Sequence, residues 1–296
     1  MRQYKLTVLL IFITNFITAQ NSIDELKKQG WRIDNNFIEN STAVEYDASA
    51  IMLFRVGDYI VNNPEKSIAS PKNKNVKTSR IFFNSDGSIN YESDTTDHYN
   101  ENGLLFRSDW VSDSIVFSSN WTYDMKNRPL EYYIMDESSK RKTVYERYVY
   151  HNNYIVINNL DNTIVEVITI EKKDNGLLVT LYKDKEKKKD FDIKLKANLI
   201  SDMVRIIYLP NFKSFAVLKY DYDADNELIG YTRKSKTRDD FINNVQFDYK
   251  DSILVRSYDS ANHIESLFSD FEKENWTKAV ITQNGEKTSV INREFY

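Results

Sequence analysis

The sequence predicts a mainly all-β protein: an extended antiparallel β-meander of hairpin repeats, with one short N-terminal helix. Three observations carry that expectation. Aromatic residues are abundant, with 20 Tyr, 16 Phe and 4 Trp, and such side chains favour strands. Phe191, Ile193, Leu195 and Ala197 alternate with Asp192, Lys194 and Lys196, the period of two that a half-buried strand requires. Third, a short unit built on an aromatic and an Asp or Asn recurs along the chain.

The elements follow in order. Arg2 and Lys5 precede an apolar run over 6–16, and Ile17-Thr18-Ala19 offers small residues before Gln20. This pattern predicts a secretory signal over 1–19, cleaved after Ala19. The run is too short to span a bilayer, which takes about 20 residues. Processing would leave 277 residues, and loss of Arg2 and Lys5 takes the formal charge from −4 to −6.

Ser22-Ile23-Asp24-Glu25 reads as a capping box, so a helix is expected at about 22–29, ended by Gly30, with Ile23, Leu26 and Trp31 on one face. Residues 20–79 form an N-terminal part holding that helix, a segment at 41–54 that reads equally as helix or strand, and a polar loop over 62–79. Residues 80–296 form the β-hairpin repeat domain. Within it, 163–170 and 177–182 read as strands joined by the turn Lys173-Asp174-Asn175-Gly176, and 205–209 and 215–222 continue the series.

Gly and Pro together number only 11, so Asn and Asp serve as turn residues, Asn being able to adopt left-handed backbone conformations. The recurring unit is an aromatic, then Asp or Asn, two variable residues, Gly or Asn, one residue, and Leu or Ile. It occurs at 83–89 (FNSDGSI), 99–105 (YNENGLL), 222–228 (YDADNEL) and 258–264 (YDSANHI), and at 123–130 (YDMKNRPL) with the aliphatic one place later. The aromatic ends a strand, the Asx side chain folds onto the turn, and the Gly or Asn takes the positive-φ position. These units resemble the tyrosine–aspartate (RHS/YD) β-hairpin repeats of exported bacterial proteins. The resemblance implies a hairpin architecture and no transferable catalytic residues. In RHS proteins the repeats build a shell around a toxin, for which this chain is too short and too irregularly spaced.

Composition excludes several functions. There is no Cys, hence no disulfide framework, thiolate metal site or cysteine nucleophile. The acidic balance argues against nucleic acid as a partner. No phosphate loop, dinucleotide fingerprint, GxSxG or HExxH is present. No cofactor or metal is implied, and the balance leans against an enzyme. His98, His151 and His263 lie far apart in sequence; Asp97-His98 reads as a polar strand start rather than an acid–base pair. Asp221, Asp223 and Asp225 resemble a calcium loop but lack its Gly and closing Glu. The 183–189 run (KDKEKKK) reads as a solvated hairpin tip.

An outer-membrane barrel needs an apolar lipid-facing row on each strand. Neither Tyr296, Glu294, Asn292, Val290 nor Phe295, Arg293, Ile291, Ser289 supplies one, so that reading is set aside, and no transmembrane segment is expected after cleavage. A long open meander would leave edge strands able to pair with partners. The expected function is that of an exported, non-enzymatic binding or scaffolding protein of the bacterial envelope. It would be periplasmic, surface-exposed or released, with an envelope protein or a polysaccharide as partner. The alternatives are a carbohydrate-binding or carbohydrate-processing protein, with Trp110, Trp121 and Trp276 as its stacking rings, and an immunity or partner-blocking protein.

Overall fold

A computed structural model describes residues 22–39, 75–112, 114–196, 199–225, 228–235, 242–251, 253–272 and 275–296. The expected signal segment and the 41–54 segment lie outside the described residues. Helix α1 spans Ile23–Lys28. The strands are β1 (Asn75–Phe83), β2 (Ile89–Tyr99), β3 (Leu105–Ser112), β4 (Ile115–Tyr123), β5 (Pro129–Asp136) and β6 (Arg141–Tyr150). Then come β7 (Tyr154–Asn158), β8 (Ile164–Lys173), β9 (Gly176–Lys183), β10 (Glu186–Lys196), β11 (Leu199–Tyr208) and β12 (Lys213–Tyr222). The series ends with β13 (Leu228–Ser235), β14 (Ile242–Lys250), β15 (Ile253–Asp259), β16 (Ile264–Glu272), β17 (Asn275–Gln283) and β18 (Glu286–Phe295). Strand β1 begins at Asn75, so the tail of the expected 62–79 loop is strand.

All-β with one short helix is what the sequence led us to expect; the open meander is not what forms. Every strand pairs antiparallel with its sequence neighbour, and β18 pairs with β1 from Val76↔Phe295 to Phe82↔Ser289. The sheet is a closed 18-stranded barrel, and closure removes the edges on which partner strands could add.

Side chains alternate between the two faces of the wall. One face carries a contiguous apolar cluster running from Tyr148 through Ile155, Ile168, Phe191, Met203 and Leu218 to Ile291. Ile155, Ile168, Phe191 and Met203 have no exposed surface. On the convex side of a barrel an uncovered side chain meets solvent, so this face is the inside. An 18-stranded cylinder would ordinarily hold a channel; along the arc from β7 to β18 the inner wall is buried instead. The outer rows are mainly polar, as on β14, where Asn244, Gln246, Asp248 and Lys250 are exposed along with Ile242, and Asn243, Val245 and Phe247 are buried; Val111, Val116 and Leu267 are further exposed apolar side chains. Asp192, Lys194 and Lys196 likewise face water. The barrel therefore closes without a lipid-facing apolar row on β18, where Val290, Asn292 and Glu294 point outward.

The N-terminal strap lies on the outside. Ser22 caps α1 by accepting from the Glu25 amide at 3.3 Å, and Gly30 ends it at φ +89°. Ile23, Leu26, Trp31, Ile33 and Phe37 then cover Tyr154, Val156, Val167 and Tyr182 on β7–β9. The charged run participates: Lys187 pairs with Asp34 at 2.9 Å, Arg32 with Glu186 at 3.0 Å, and Lys185 donates to the Gln29 carbonyl at 2.8 Å. It is thus an anchor as well as a hairpin tip.

The recurring unit is a real turn geometry. After Asn84, Asn100 and Asp124 the same two backbone bonds close the loop, as in Asn100 N–H to Leu104 C=O and Gly103 N–H to Asn100 C=O, both 2.9 Å. Gly87, Gly103 and Asn127 hold the positive φ. A further copy at Asn159, with Asn162 at φ +59°, was missed in the sequence because Asn158 replaces the aromatic. The 258–264 unit differs: His263, not Asn262, takes the positive φ.

Candidate functional site

The inner wall over β1–β6 is less buried than the rest and carries paired rings. Cross-strand register sets Phe82 opposite Tyr91, Trp110 opposite Phe117 and Trp121 opposite Tyr132. The first two pairs are stacked, with centroids 4.1 and 5.9 Å apart; the third is tilted at 4.8 Å. Tyr91 is 52% exposed, while Phe82, Trp110, Phe117, Trp121 and Tyr132 are half-buried. Thr95 stands opposite Trp110, so Tyr91 lies four residues, about 13 Å, further along the wall. Trp121 lies the same four residues from Phe117 in the other sense. The rings form a diagonal across four adjacent strand pairings; Tyr150 on β6 extends it, stacked at 6.5 Å on Tyr148, which belongs to the buried cluster.

Small hydroxyl side chains occupy most inner positions of β2 and β3 between the rings, with Ile134 and Asp136 of β5 opposite Ser119 and Phe117. Register places Ser93, Thr95 and Asp97 on the inner face of β2, Ser108 and Ser112 on β3, and Ser119 on β4. Arg80 stands over the Phe82 ring at 5.1 Å. Arg205, Arg233 and Arg293 also occupy inner-face positions, facing the partners Ala216, Leu218 and Thr78.

The structure brings together two of the three tryptophans nominated from sequence. Trp110 and Trp121 share the half-exposed inner stretch. Trp276 does not: it is 1% exposed, packed on Phe268 at 5.1 Å with the Arg293 guanidinium 3.8 Å from its ring. The partner rings Phe82, Tyr91, Phe117 and Tyr132 went unnoticed, although each falls at an alternate position of its strand. Their meeting depends on cross-strand register, which no local pattern shows.

The histidines do not converge. Asp97 and His98 are adjacent in a strand and point to opposite faces. His98 instead bridges Asn75 at 2.8 Å and Asp109 at 2.9 Å on the outer wall. Asp109 continues to Arg107, Arg107 to Glu137, and Glu137 accepts from Ser118 at 2.6 Å. This line ties β1 to the β5–β6 turn as a structural network, with Ser118 fully buried. Ser118 donates to the Glu137 carboxylate and accepts from Asn120 Nδ2 at 2.8 Å, and its complete burial keeps substrate from the hydroxyl. His151 stacks on Tyr154 at 4.0 Å, and burial lowers its pKa. His263 occupies a turn. Asp221 points outward and Asp223 accepts from the Asp225 amide at 2.9 Å, a turn contact. Among the described residues no group of three potential metal ligands occurs.

No protein-family model and no curated protein matches the chain. Solved structures with some likeness include a porin-like protein from Bacteroides uniformis ATCC 8492, 12% identical, covering 75% of this chain and 97% of that one, at TM-score 0.39. Others are a TcdB2-TccC3-TEV structure and the Photorhabdus luminescens Tc holotoxin pore, 8% and 9% identical, at TM-scores 0.24 and 0.27. This chain covers 71% of its own length in both, and 15% and 14% of theirs. At these TM-scores the likenesses carry no argument about fold or function. No helix among the described residues is long and apolar enough to cross a membrane.

Proposed function

We propose that the chain is an exported, non-enzymatic binding protein of the bacterial envelope, and that its ligand is held by the half-exposed inner wall of β1–β5. The observation that supports this is the diagonal of inward rings set among hydroxyl side chains. Large aromatics that only fill a core are covered, as Trp276 is; Tyr91 and the Trp110–Phe117 pair remain accessible. The polar outer rows favour an aqueous barrel over a lipid-embedded one, because a lipid-facing wall needs an apolar band about 25 Å tall. Closure redirects the earlier expectation of scaffolding through open edges: binding has to use faces rather than strand addition. The shared turn unit, with its positive-φ Gly or Asn, supports a common origin with tyrosine–aspartate repeats.

The test has two arms. The full chain is expressed in a Gram-negative bacterium, and its N-terminus and fraction are determined. Export predicts a mature protein beginning at Gln20 and released without detergent. The purified protein is then used to capture ligands from envelope extract divided into protein and polysaccharide fractions. Retention from either fraction that is weakened by Trp110→Ala supports the reading. Retention of nothing, or a protein that extracts only with detergent, overturns it.

A further inference from the structure

We infer that the inner-wall strip from Tyr91 through Trp110 and Phe117 to Trp121 is a subsite for a neutral, linear glycan. The inference rests on the proposed binding function and specifies its ligand class. A saccharide ring has an apolar C–H face and a rim of hydroxyls. Its binding surface therefore combines aromatic faces with small polar groups that donate and accept. The strip has that composition: stacked or tilted ring pairs, with Ser93, Thr95 and Ser112 accessible between them on the same face, while Ser108 and Ser119 on that face are buried. The pairs recur about every 13 Å along the wall, so an extended chain can meet them in succession, whereas a compact ligand reaches one. On β2 and β3 the intervening inner positions are mainly hydroxyl-bearing, which suits an uncharged chain; the charged side chains sharing the face are Arg80 and the acidic Asp97, Asp136 and Glu146, a balance that disfavours an anionic chain.

A polypeptide is the competing occupant. Extended peptides are captured by sheets chiefly through strand addition at an edge, and this barrel has none. On β2 and β3 the spacers of the ring diagonal are serines and threonines, with Ile115 and Ile134 opposite Ser112 and Ser119. Tyr91, on β2 beside the β1–β2 turn and more than half exposed, gives the strip an accessible end.

The experiment is affinity electrophoresis of the full chain in gels containing dextran, pullulan, laminarin or xylan, with alginate as the charged comparison. Tryptophan fluorescence is followed on titration. Retardation by at least one neutral glycan is expected. Trp110→Ala and Tyr91→Ala should each weaken it about tenfold, the loss of roughly 1.4 kcal/mol that one aromatic contact contributes. Trp110→Phe should retain most of the binding. Val111→Ser, on the outer face of the same strand and 63% exposed, should change nothing. Tyr91→Ala guards against misfolding, since its side chain is largely outside the packed wall, and far-UV circular dichroism confirms each variant. No retardation by any neutral glycan, or equal retardation of Trp110→Ala, overturns the inference. If envelope capture meanwhile retains a protein, the glycan assignment fails and the binding function stands. If capture also retains nothing, both fail together.

Discussion

The Tyr123 hydroxyl donates a 2.6 Å hydrogen bond to the carbonyl of Leu105, the first residue of the preceding strand. Tyr150 repeats the relationship on Pro129 at 2.6 Å, Tyr222 on Ile200 at 3.0 Å and Tyr249 on Leu228 at 3.1 Å. In each case the tyrosine lies near the end of an even-numbered strand. The acceptor is the first or second residue of the strand before it. The turn joins each of these hairpins at one end of the barrel, and the tyrosine fastens it at the other. Burial raises the Tyr123 and Tyr222 pKa values, as expected for phenols kept neutral.

Tyr123→Phe should lower stability by about 1–2 kcal/mol, because it leaves the Leu105 carbonyl without its donor. Tyr249→Phe, whose bond is longer, should cost less. Urea melts of the two variants measure this directly. A Tyr123→Phe protein with an unchanged midpoint and slope would show that the latch contributes nothing.

The turn unit makes an opposite pair of expectations. Gly103 holds φ +75° and Asn127 holds φ +60° at the same place of two turns. Gly103→Ala should cost about 1 kcal/mol through backbone strain, while Asn127→Gly should be near neutral. Thermal melts compare them. Similar losses for both would mean that the left-handed position does not govern these turns.

A more severe effect is expected at Gly176, where a Cβ would overlap the Ile193 carbonyl across the β9–β10 pairing. The obstacle is backbone, so no side chain can swing away. Gly176→Ala should yield little soluble protein, whereas Gly87→Ala, whose Cβ meets nothing within 4 Å, should carry only its φ strain. Soluble yield and melting temperature distinguish them.

The strap should be sensitive to acid at its far end. His151 stacks on Tyr154, whose hydroxyl donates to Glu39 at 2.9 Å. Burial depresses the His151 pKa below its usual 6.5. A depressed folded-state value means that stability is fully present above the unfolded pKa. It is lost as pH falls from about 6.5 through the folded pKa. Protection factors against hydrogen exchange at Tyr154 and Val156, corrected for the intrinsic pH dependence of exchange, should therefore fall between pH 7 and pH 5. His151→Phe should flatten that dependence; protection factors that stay constant with pH in the wild-type chain would refute it.

Local structure was legible where local physics decides it. Alternation at Phe191 and Ile193 placed β10 and its buried face, and the Ser22 cap placed α1. The Asx turns were visible because a single residue's tolerance of positive φ selects them. The candidate site was half legible. Trp110 and Trp121 could be nominated as large rings, but Trp276 looked the same in sequence and is buried. Which ring is covered depends on the opposite strand and on what lies across the interior.

By itself, then, the sequence determined the β class, the helix cap, the turn geometry and the alternation of each strand. Tertiary structure alone decided that β18 returns to β1, which face became the inside, and that Phe82, Tyr91, Phe117 and Tyr132 join the two tryptophans. The physical reason is that a period of two distinguishes two faces without saying which one is concave. Closure depends on the summed register of all eighteen pairings, including bulges such as those at Phe82/Phe83 and Thr122/Tyr123. A pairing between Val76 and Phe295 leaves no mark within either segment.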